Sequence, residues 1–189
     1  MNQVLQSYQQ ELIQAIRQID HTEFEKATAL LLDAYHQDRQ VFIVGNGGSA
    51  GTANHFVCDF GKNAVQGERR RFRIHSLCDN VEMITALGND IAFEQIFAFQ
   101  LGNQMRPGDV LMVISASGNS PDLVRALEYA REKHGHIVSL AGFQGGKIRE
   151  MSEVCMVAEM SSYERIEDMH LMILHMVVCF MKAHQELLG

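Results

Sequence analysis

The stretch VFIVGNGGSAGTANHF, residues 41–56, passes from a run of apolar residues to glycine, asparagine and serine without a break. A short apolar run that ends in glycine is typical of a buried strand followed by a turn. In an open α/β sheet, ligands bind beyond the carboxyl ends of the strands. Glycines let backbone N–H groups approach an anion closely, and the N-terminus of a following helix favours negative charge. Four residues of this turn are therefore candidates for binding an anionic ligand: Asn46, Gly47, Gly48 and Ser49.

Two nucleotide-binding signatures do not describe this turn. The dinucleotide fingerprint GxGxxG needs a glycine where Ala50 stands, and the lysine of a P-loop is missing. Taken alone, the turn fits a phosphate-binding loop and a tight structural turn equally well.

A second segment, VISASGNSPDLVRAL at 113–127, repeats the design of an apolar strand, a polar turn and a helix start. Ser115, Ser117 and Ser120 offer three hydroxyls within six residues, beside the amides of a helix N-terminus. Such a set can surround a phosphate monoester without a metal ion or a group of arginines. Ser120 alone would indicate only a helix cap.

Five short β-rich runs alternate with helical patterns along the chain, after two helices predicted from the apolar spacing between Leu5 and Ala34. This alternation predicts an α/β fold in which helices cover both faces of a parallel sheet. No linker or fixed repeat interrupts it, so we expect one domain over residues 1–189. Its predicted parts are N-terminal helices (1–37), an α/β core (38–160) and a long C-terminal helix (161–189). The predicted strands are VFIVG at 41, RFRIHSL at 71, VLMVIS at 110, HIVSLAG at 136 and EVCMVA at 153.

The last predicted helix, roughly residues 162–187, is apolar nearly all round between Met169 and Met181. A helix without a polar face is normally buried on every side. In a chain of 189 residues, packing against another subunit is the simplest way to bury it. We therefore expect a symmetric homo-oligomer.

Composition excludes several classes of protein. The net charge of −7 argues against a general nucleic-acid binder. The arginines of residues 69–73 form only a local basic cluster, which fits a solvated loop better than contact with an anionic sugar substrate. Four cysteines without paired spacing favour a reducing compartment. The N-terminus lacks the pattern of a secretory signal, and no segment has the apolar length of a membrane helix. These observations predict a cytoplasmic protein without membrane or direct nucleic-acid binding.

Four motifs together, GNGGSA…HF, ISxSGNS, GND and RIxxxH, resemble the sugar isomerase (SIS) domain proteins, and among them the phosphoheptose isomerases. The resemblance runs in order along nearly the whole chain. It implies a three-layer αβα sandwich with a five-stranded parallel sheet, a homotetramer, and active sites formed between subunits. It also implies that a phosphorylated seven-carbon sugar is the substrate.

Isomerisation between an aldose and a ketose moves a proton between adjacent carbons, so the site needs a base, an acid and a group that polarises the carbonyl. His55 and Asp59 are four residues apart and share one helix face. Glu167, His170 and His175 lie on the last helix. His175 is within an apolar run, where an unpartnered imidazole would be costly to bury.

The resemblance implies one zinc ion per site, held at the positions of His55, Asp59, Glu167 and His175. It further implies that Asp59 and His175 form the acid–base pair. Glu167 and His175 are eight residues apart, about 12 Å along an ideal helix, so this pairing is the most demanding part of the ligand set.

Three residues depart from the pattern of the family. Asp59 stands where glutamate is usual, and Glu167 where glutamine is usual, so the ligand set is more negative. Ala116 replaces the usual threonine of the phosphate loop and leaves only its backbone amide to bind. These changes put the exact position of the base and the identity of the substrate in question.

Structural alternatives stand beside these roles. His55 could be an ordinary helix residue that packs on the sheet. Asn89 and Asp90, in the motif GND, are candidates for binding substrate hydroxyls, but Asp90 would serve equally well as a cap for the next helix. His170 is best explained by packing or by contact with a residue that binds the ligand. Glu164 and Arg165 fit an interface ion pair as well as a ligand contact.

The function that these observations favour is conversion of sedoheptulose 7-phosphate to D-glycero-D-manno-heptose 7-phosphate. The product would supply nucleotide-activated heptose for lipopolysaccharide, a capsule or a secondary metabolite. One alternative, also drawn from SIS proteins, is a non-catalytic tetramer that binds a replication initiator protein. Another is an isomerase or sensor for a different phosphosugar.

Overall fold

A computed structural model describes residues 2–189 and contains one five-stranded, all-parallel sheet with the strand order β2-β1-β3-β4-β5. The predicted α/β fold with a five-stranded parallel sheet is confirmed. The prediction of a single domain with three parts stays a prediction. The strands are β1 (Gln40–Gly45), β2 (Arg73–Ser76), β3 (Val110–Ser115), β4 (His136–Gly142) and β5 (Val154–Ala158).

Eight α-helices surround this sheet within residues 2–189, and the predicted N-terminal pair and long C-terminal helix are among them. Two short 3-10 turns, Phe93–Gln95 and Gln185–Leu188, complete the regular structure. The helices are α1 (Asn2–Arg17), α2 (His21–His36), α3 (Gly48–Asn63), α4 (Val81–Asp90), α5 (Ile96–Gln104), α6 (Pro121–Glu132), α7 (Gly146–Met151) and α8 (Tyr163–Ala183).

Strand β3 lies at the centre of the sheet, and all six of its residues are buried. Helices α3 and α8 pack together in one layer against the sheet, and α5, α6 and α7 form another. A strand covered on both faces needs apolar side chains in both directions, which is why it has a continuous apolar run rather than an alternating one. Strand β2, at the edge, is shorter and only partly buried.

The strand order reverses between β1 and β3. These two strands are parallel neighbours, so their carboxyl ends lie side by side. Gly45, the last residue of β1, pairs in register with Ile114 of β3. The two polar turns that follow these strands are therefore neighbours. Such a switch point is the usual ligand-binding crevice of an open α/β sheet.

Helix α8 is buried only in part within one chain. Ile173, Leu174, Val177 and Val178 are buried, whereas Cys179 is exposed. Helix α1 has no buried residue at all. The expectation that another subunit completes the burial of the last helix stays a prediction. Over residues 2–189, no helix combines the length and the apolar character needed to cross a membrane.

Candidate active site

The turn after β3 is rigidly built. Gly118 has φ of +65°, and a Cβ at this position would lie 2.0 Å from the carbonyl oxygen of Gly145, so only glycine fits. The Gly118 N–H donates to Ser115 Oγ at 3.1 Å, and the Asn119 N–H donates to Ser117 Oγ at 3.3 Å. Ser120 occupies the N-cap position of α6, but its hydroxyl makes no capping hydrogen bond. The Ser120 hydroxyl can therefore bind a ligand.

The turn after β1 is more open. Gly47 has φ of +52°, and an added Cβ would meet no atom within 4 Å. Gly48 is different, because a Cβ there would lie 2.5 Å from Glu167 Oε2. The carboxylate of Glu167 therefore lies against the first turn of α3, where the helix dipole favours negative charge.

The two turns enclose a cavity of about 130 Å³ at the carboxyl ends of β1 and β3. Most of the residues predicted to bind substrate or phosphate line it, and Gly47 and Gly48 adjoin it in the β1 turn. Tyr163, at the start of α8, also lines the cavity and was not predicted. The predicted lining residues are Asn46, Ser49, Ser115, Ala116, Ser117, Ser120 and Glu167.

Packing of α3 against α8 brings together a second group of side chains. His55 Nε2 lies 3.2 Å from Asp59 Oδ2, as expected for residues one helical turn apart. His175 Nε2 lies 3.5 Å from His55 Nε2 and 3.6 Å from Asp59 Oδ2. All three ligand atoms lie within 4.8 Å of one another, so this group, called here the His–Asp cluster, could hold a metal ion.

The spacing of the His–Asp cluster suits zinc. Metal–ligand bonds of about 2 Å in a tetrahedral arrangement place the ligand atoms about 3.3 Å apart. The three observed separations of 3.2, 3.5 and 3.6 Å are close to that value. Two imidazoles and a carboxylate are also ligands that zinc commonly accepts.

The sequence and the fold of this chain match those of known proteins. The family model for the SIS domain matches residues 6–142. The phosphoheptose isomerase of Geobacter sp. strain M21 is 38% identical over 153 residues, which is 81% of this chain and 79% of that protein. The chain belongs to the phosphoheptose isomerase family.

Other members of the phosphoheptose isomerase family show the same likeness. The Helicobacter pylori strain 26695 protein is 31% identical over 85% of this chain and 83% of its own length. The structure of the Neisseria gonorrhoeae enzyme matches with a TM-score of 0.88 and 28% identity, and the match covers 96% of this chain and 98% of that one. The likeness thus extends over nearly the whole fold.

One of the four predicted metal ligands does not belong to the His–Asp cluster. Within residues 2–189, Glu167 is not part of the group whose ligand atoms lie within 4.8 Å, because its carboxylate lies beside Gly48. The assignment of Glu167 as a metal ligand stays a prediction. His55 does not pack on the sheet, since its side chain is half exposed and faces Asp59 and His175.

The structure corrects the expected burial of one of the two histidines on α8. His175 was expected to be buried, but its side chain is 43% exposed. The buried one is His170, which is 0% exposed, and among the described residues neither of its ring nitrogens has a hydrogen-bond partner. Burial lowers the pKa of His170 to about 4, and the nearby backbone of Ala141 opposes this shift. His170 is therefore a neutral packing residue, as the sequence indicated.

Asn89 and Asp90 lie at the exposed end of α4, and neither lines the cavity. Asn89 Nδ2 donates to Asp90 Oδ1 at 2.8 Å. The proposed capping role of Asp90 is wrong, because Ala92 occupies the N-cap position of the following 3-10 turn. A role in binding substrate stays a prediction for both residues.

Arg165 and Glu164 do not pair with each other. Arg165 Nε lies 3.2 Å from Glu11 Oε2 of α1, and the guanidinium lies over the ring of Tyr8. Ser162 donates its hydroxyl hydrogen to Glu164 at 2.8 Å. Arg165 therefore ties α1 to the start of α8 within one chain.

Asp122 is a further residue of the site that sequence reasoning missed. It is 2% exposed, and its Oδ2 accepts a hydrogen bond from Asn46 Nδ2 at 2.8 Å. Burial raises the pKa of the Asp122 carboxyl, and the hydrogen bond from Asn46 opposes that shift. In the sequence, an aspartate after Pro121 at a helix start indicates only a helix N-terminus, so no local signal pointed to this contact.

Proposed function

We propose that this chain interconverts sedoheptulose 7-phosphate and D-glycero-D-manno-heptose 7-phosphate, as an aldose–ketose isomerase. The observation that carries the proposal is the convergence of His55, Asp59 and His175 from α3, which begins in the β1 turn, and α8, which also lines the cavity. The site thus has a phosphate end and an acid–base end. A sugar phosphorylated at its last carbon has its phosphate at one end and its carbonyl at the other. Its two ends therefore correspond to the two ends of the site.

At the phosphate end, the turn after β3 supplies hydroxyls and backbone amides. The hydroxyls of Ser117 and Ser120 and the remaining backbone N–H groups of the β3 turn donate hydrogen bonds to the phosphate oxygens. The dipole of α6 adds a favourable interaction with the dianion. Because this turn is held by Gly118 against Gly145, the donors need little reorganisation on binding.

At the other end, Asp59 and His175 carry the proton transfers. Starting from the ketose, the carboxylate of Asp59 removes a proton from C1, which gives the enediol, and returns that proton to C2. His175 moves the hydroxyl proton from O1 to O2, so the atoms balance and the aldose forms. Asp59 Oδ2 and His175 Nε2 are 3.6 Å apart, which lets them act on adjacent atoms of one substrate.

We further propose one zinc ion per site, held by His55, Asp59 and His175, with Glu167 as the predicted fourth ligand. When bound, such an ion polarises the oxygens of the substrate as a Lewis acid. The spacing of the His–Asp cluster supports this assignment.

The proposed assembly is a homotetramer in the cytoplasm. Exposed apolar side chains on α1, Val4, Leu5 and Ile13 among them, support burial against other subunits. Four cysteines with free thiols suit a reducing compartment. In a cell that builds heptose-containing lipopolysaccharide, the product would feed the synthesis of nucleotide-activated heptose.

The proposal is tested by incubating the purified protein with sedoheptulose 7-phosphate, with and without added zinc, and following product formation. We expect turnover that His175→Ala and Asp59→Ala each abolish. His184→Ala is the matched control, because His184 ends the same helix and its side chain is 46% exposed, close to the 43% of His175.

Three outcomes would contradict the proposal. Turnover of a different phosphosugar, but not of the heptose, would support another substrate. No turnover of any phosphosugar, together with tight binding to a replication initiator protein, would favour the scaffold. Less than about one zinc for every two purified chains would contradict the metal assignment without affecting acid–base catalysis by Asp59 and His175.

A further inference from the structure

Asp122 and Asn46 join the two turns of the active site. Asn46 belongs to the β1 turn and Asp122 is the second residue of α6, which follows the β3 turn. Among residues 2–189, the hydrogen bond from Asn46 Nδ2 to Asp122 Oδ2, at 2.8 Å, is the only side-chain bond between these turns. The carboxylate is 2% exposed, so solvent does not compete strongly for it.

The chemistry of this pair fixes the orientation of the Asn46 amide. A carboxylate can only accept hydrogen bonds, so Asn46 must turn its NH₂ group toward Asp122. The carbonyl oxygen, Oδ1, is then the end of the amide that remains for the cavity that Asn46 lines. Phosphate oxygens need donors, whereas a sugar hydroxyl can donate to Oδ1. Asn46 in this orientation suits the sugar rather than the phosphate.

A buried carboxylate is costly, and nothing in the helix start requires one here. The backbone N–H groups of Asp122 and Leu123 lower the pKa of this carboxyl, but a serine or asparagine could also accept hydrogen bonds from such groups. Asn46 is the group that needs such a partner, because a partner that can only accept keeps the Asn46 NH₂ group pointing toward it. The burial of the charge is therefore explained by the control of the Asn46 amide.

We propose that Asp122 is a positioning residue that holds Asn46 so that Oδ1 accepts a hydrogen bond from a hydroxyl of the heptose. This inference rests on the proposed function for the identity of the sugar. It assigns the two turns different tasks, since the β3 turn binds phosphate and Asn46 of the β1 turn recognises the carbon chain.

The test compares Asp122→Ala, Asp122→Asn and the wild type. We expect Asp122→Ala to raise the KM for sedoheptulose 7-phosphate about tenfold, with kcat nearly unchanged, because one hydrogen bond to substrate is lost. Inhibition by inorganic phosphate, which occupies only the phosphate end, should stay the same. Asp122→Asn should restore only part of the affinity, since its side-chain oxygen can accept from Asn46 but its NH₂ group can face Asn46 instead.

The control is Glu128→Gln, an acidic residue on the exposed face of the same helix, which should change neither constant. An unchanged KM in Asp122→Ala would overturn the proposal. Equal weakening of sugar phosphate and inorganic phosphate would also overturn it, because that result indicates a distorted phosphate turn. A fall in the kcat of Asp122→Ala with an unchanged KM would also overturn the proposal.

The experiment separates this inference from the proposed function. Wild-type turnover of sedoheptulose 7-phosphate tests the function by itself. If the wild type does not turn this sugar over, calorimetric binding of sedoheptulose 7-phosphate and of inorganic phosphate to the same variants still tests Asp122. A selective loss of sugar phosphate binding in Asp122→Ala supports the inference, and its absence refutes it.

Discussion

The two faces of α8 place the same residue type in opposite environments. On the face toward the sheet, His170 is fully buried among apolar side chains and has no hydrogen-bond partner in the described part of the chain. On the face toward α3, His175 is 43% exposed and lies within 3.6 Å of both His55 and Asp59. The two histidines are only five residues apart.

The difference shows that the rotation of the helix decides which imidazole can do chemistry. His170 has a pKa of about 4 and stays neutral near pH 7, so it contributes only packing. His175 has a carboxylate beside it and access to a ligand, so it can exchange a proton. Each of the following predictions separates the two faces.

The largest expected effect is on catalysis. His175→Ala should lower kcat for sedoheptulose 7-phosphate by about 10²- to 10⁴-fold, the usual contribution of a general acid or base. His170→Leu should leave kcat nearly unchanged, because His170 does not reach the site. Steady-state kinetics of both variants measure this, and similar losses in the two would contradict the division of roles.

The next effect is on stability. Ile166 is buried and packs on Gly142, where an added Cβ would lie 2.6 Å from the Ile166 side chain. Ile166→Ala should lower the free energy of unfolding by about 2–5 kcal/mol, because it leaves a cavity. Met172 is partly exposed, so Met172→Ala should lower the free energy of unfolding by less than about 1 kcal/mol. Urea unfolding of both variants tests this, and equal losses would show that both faces are equally packed.

The dependence of stability on pH comes from the sheet-facing histidine. The pKa of His170 falls from 6.5 to about 4 on folding, so the unfolded chain binds more protons between these values. The free energy of unfolding should therefore fall as the pH drops from 6.5 to 4, by up to about 3 kcal/mol from this group. His170→Leu should lack this part of the slope, whereas His175→Ala should keep it. Urea unfolding at several pH values measures the slope, and an unchanged slope in His170→Leu would refute the assignment.

The smallest expected effect is stabilisation by metal. At a zinc concentration 100 times its Kd, the free energy of unfolding should rise by about 2.7 kcal/mol, because only the folded chain forms the site. His175→Ala should lose this gain and His170→Leu should retain it. Thermal unfolding with and without zinc measures the shift, and the same shift in both variants would place the metal elsewhere.

The central strands followed closely from the sequence, and the edge strand less so. Both β3 and β4 have the predicted bounds, because strands buried on both faces have continuous apolar runs. Strand β2 starts at Arg73 rather than at the predicted Arg71. The guanidinium of Arg71 binds the carbonyl oxygens of Val65 and Gly67, so this residue belongs to the preceding turn.

The candidate site, like the sheet, was predictable only in part from the sequence. The polar turns and the pair of His55 and Asp59 were predictable, since strand exits and a spacing of four residues are local features. The position of Glu167 beside Gly48 was not, although both residues were candidates. The hydrogen bond between Asn46 and Asp122 was not predictable either, because 76 residues separate them.

The sequence by itself determined the order of the elements, the turns at two strand exits and the residues that share a helix face, because backbone hydrogen bonding sets these periods locally. Only the tertiary structure decided that the Glu167 carboxylate lies beside Gly48, and that Asp122 accepts a hydrogen bond from Asn46. Those contacts depend on how helices rotate and approach across the sheet. The rotation and approach of the helices result from close packing of the whole core. No short segment of sequence fixes them by itself.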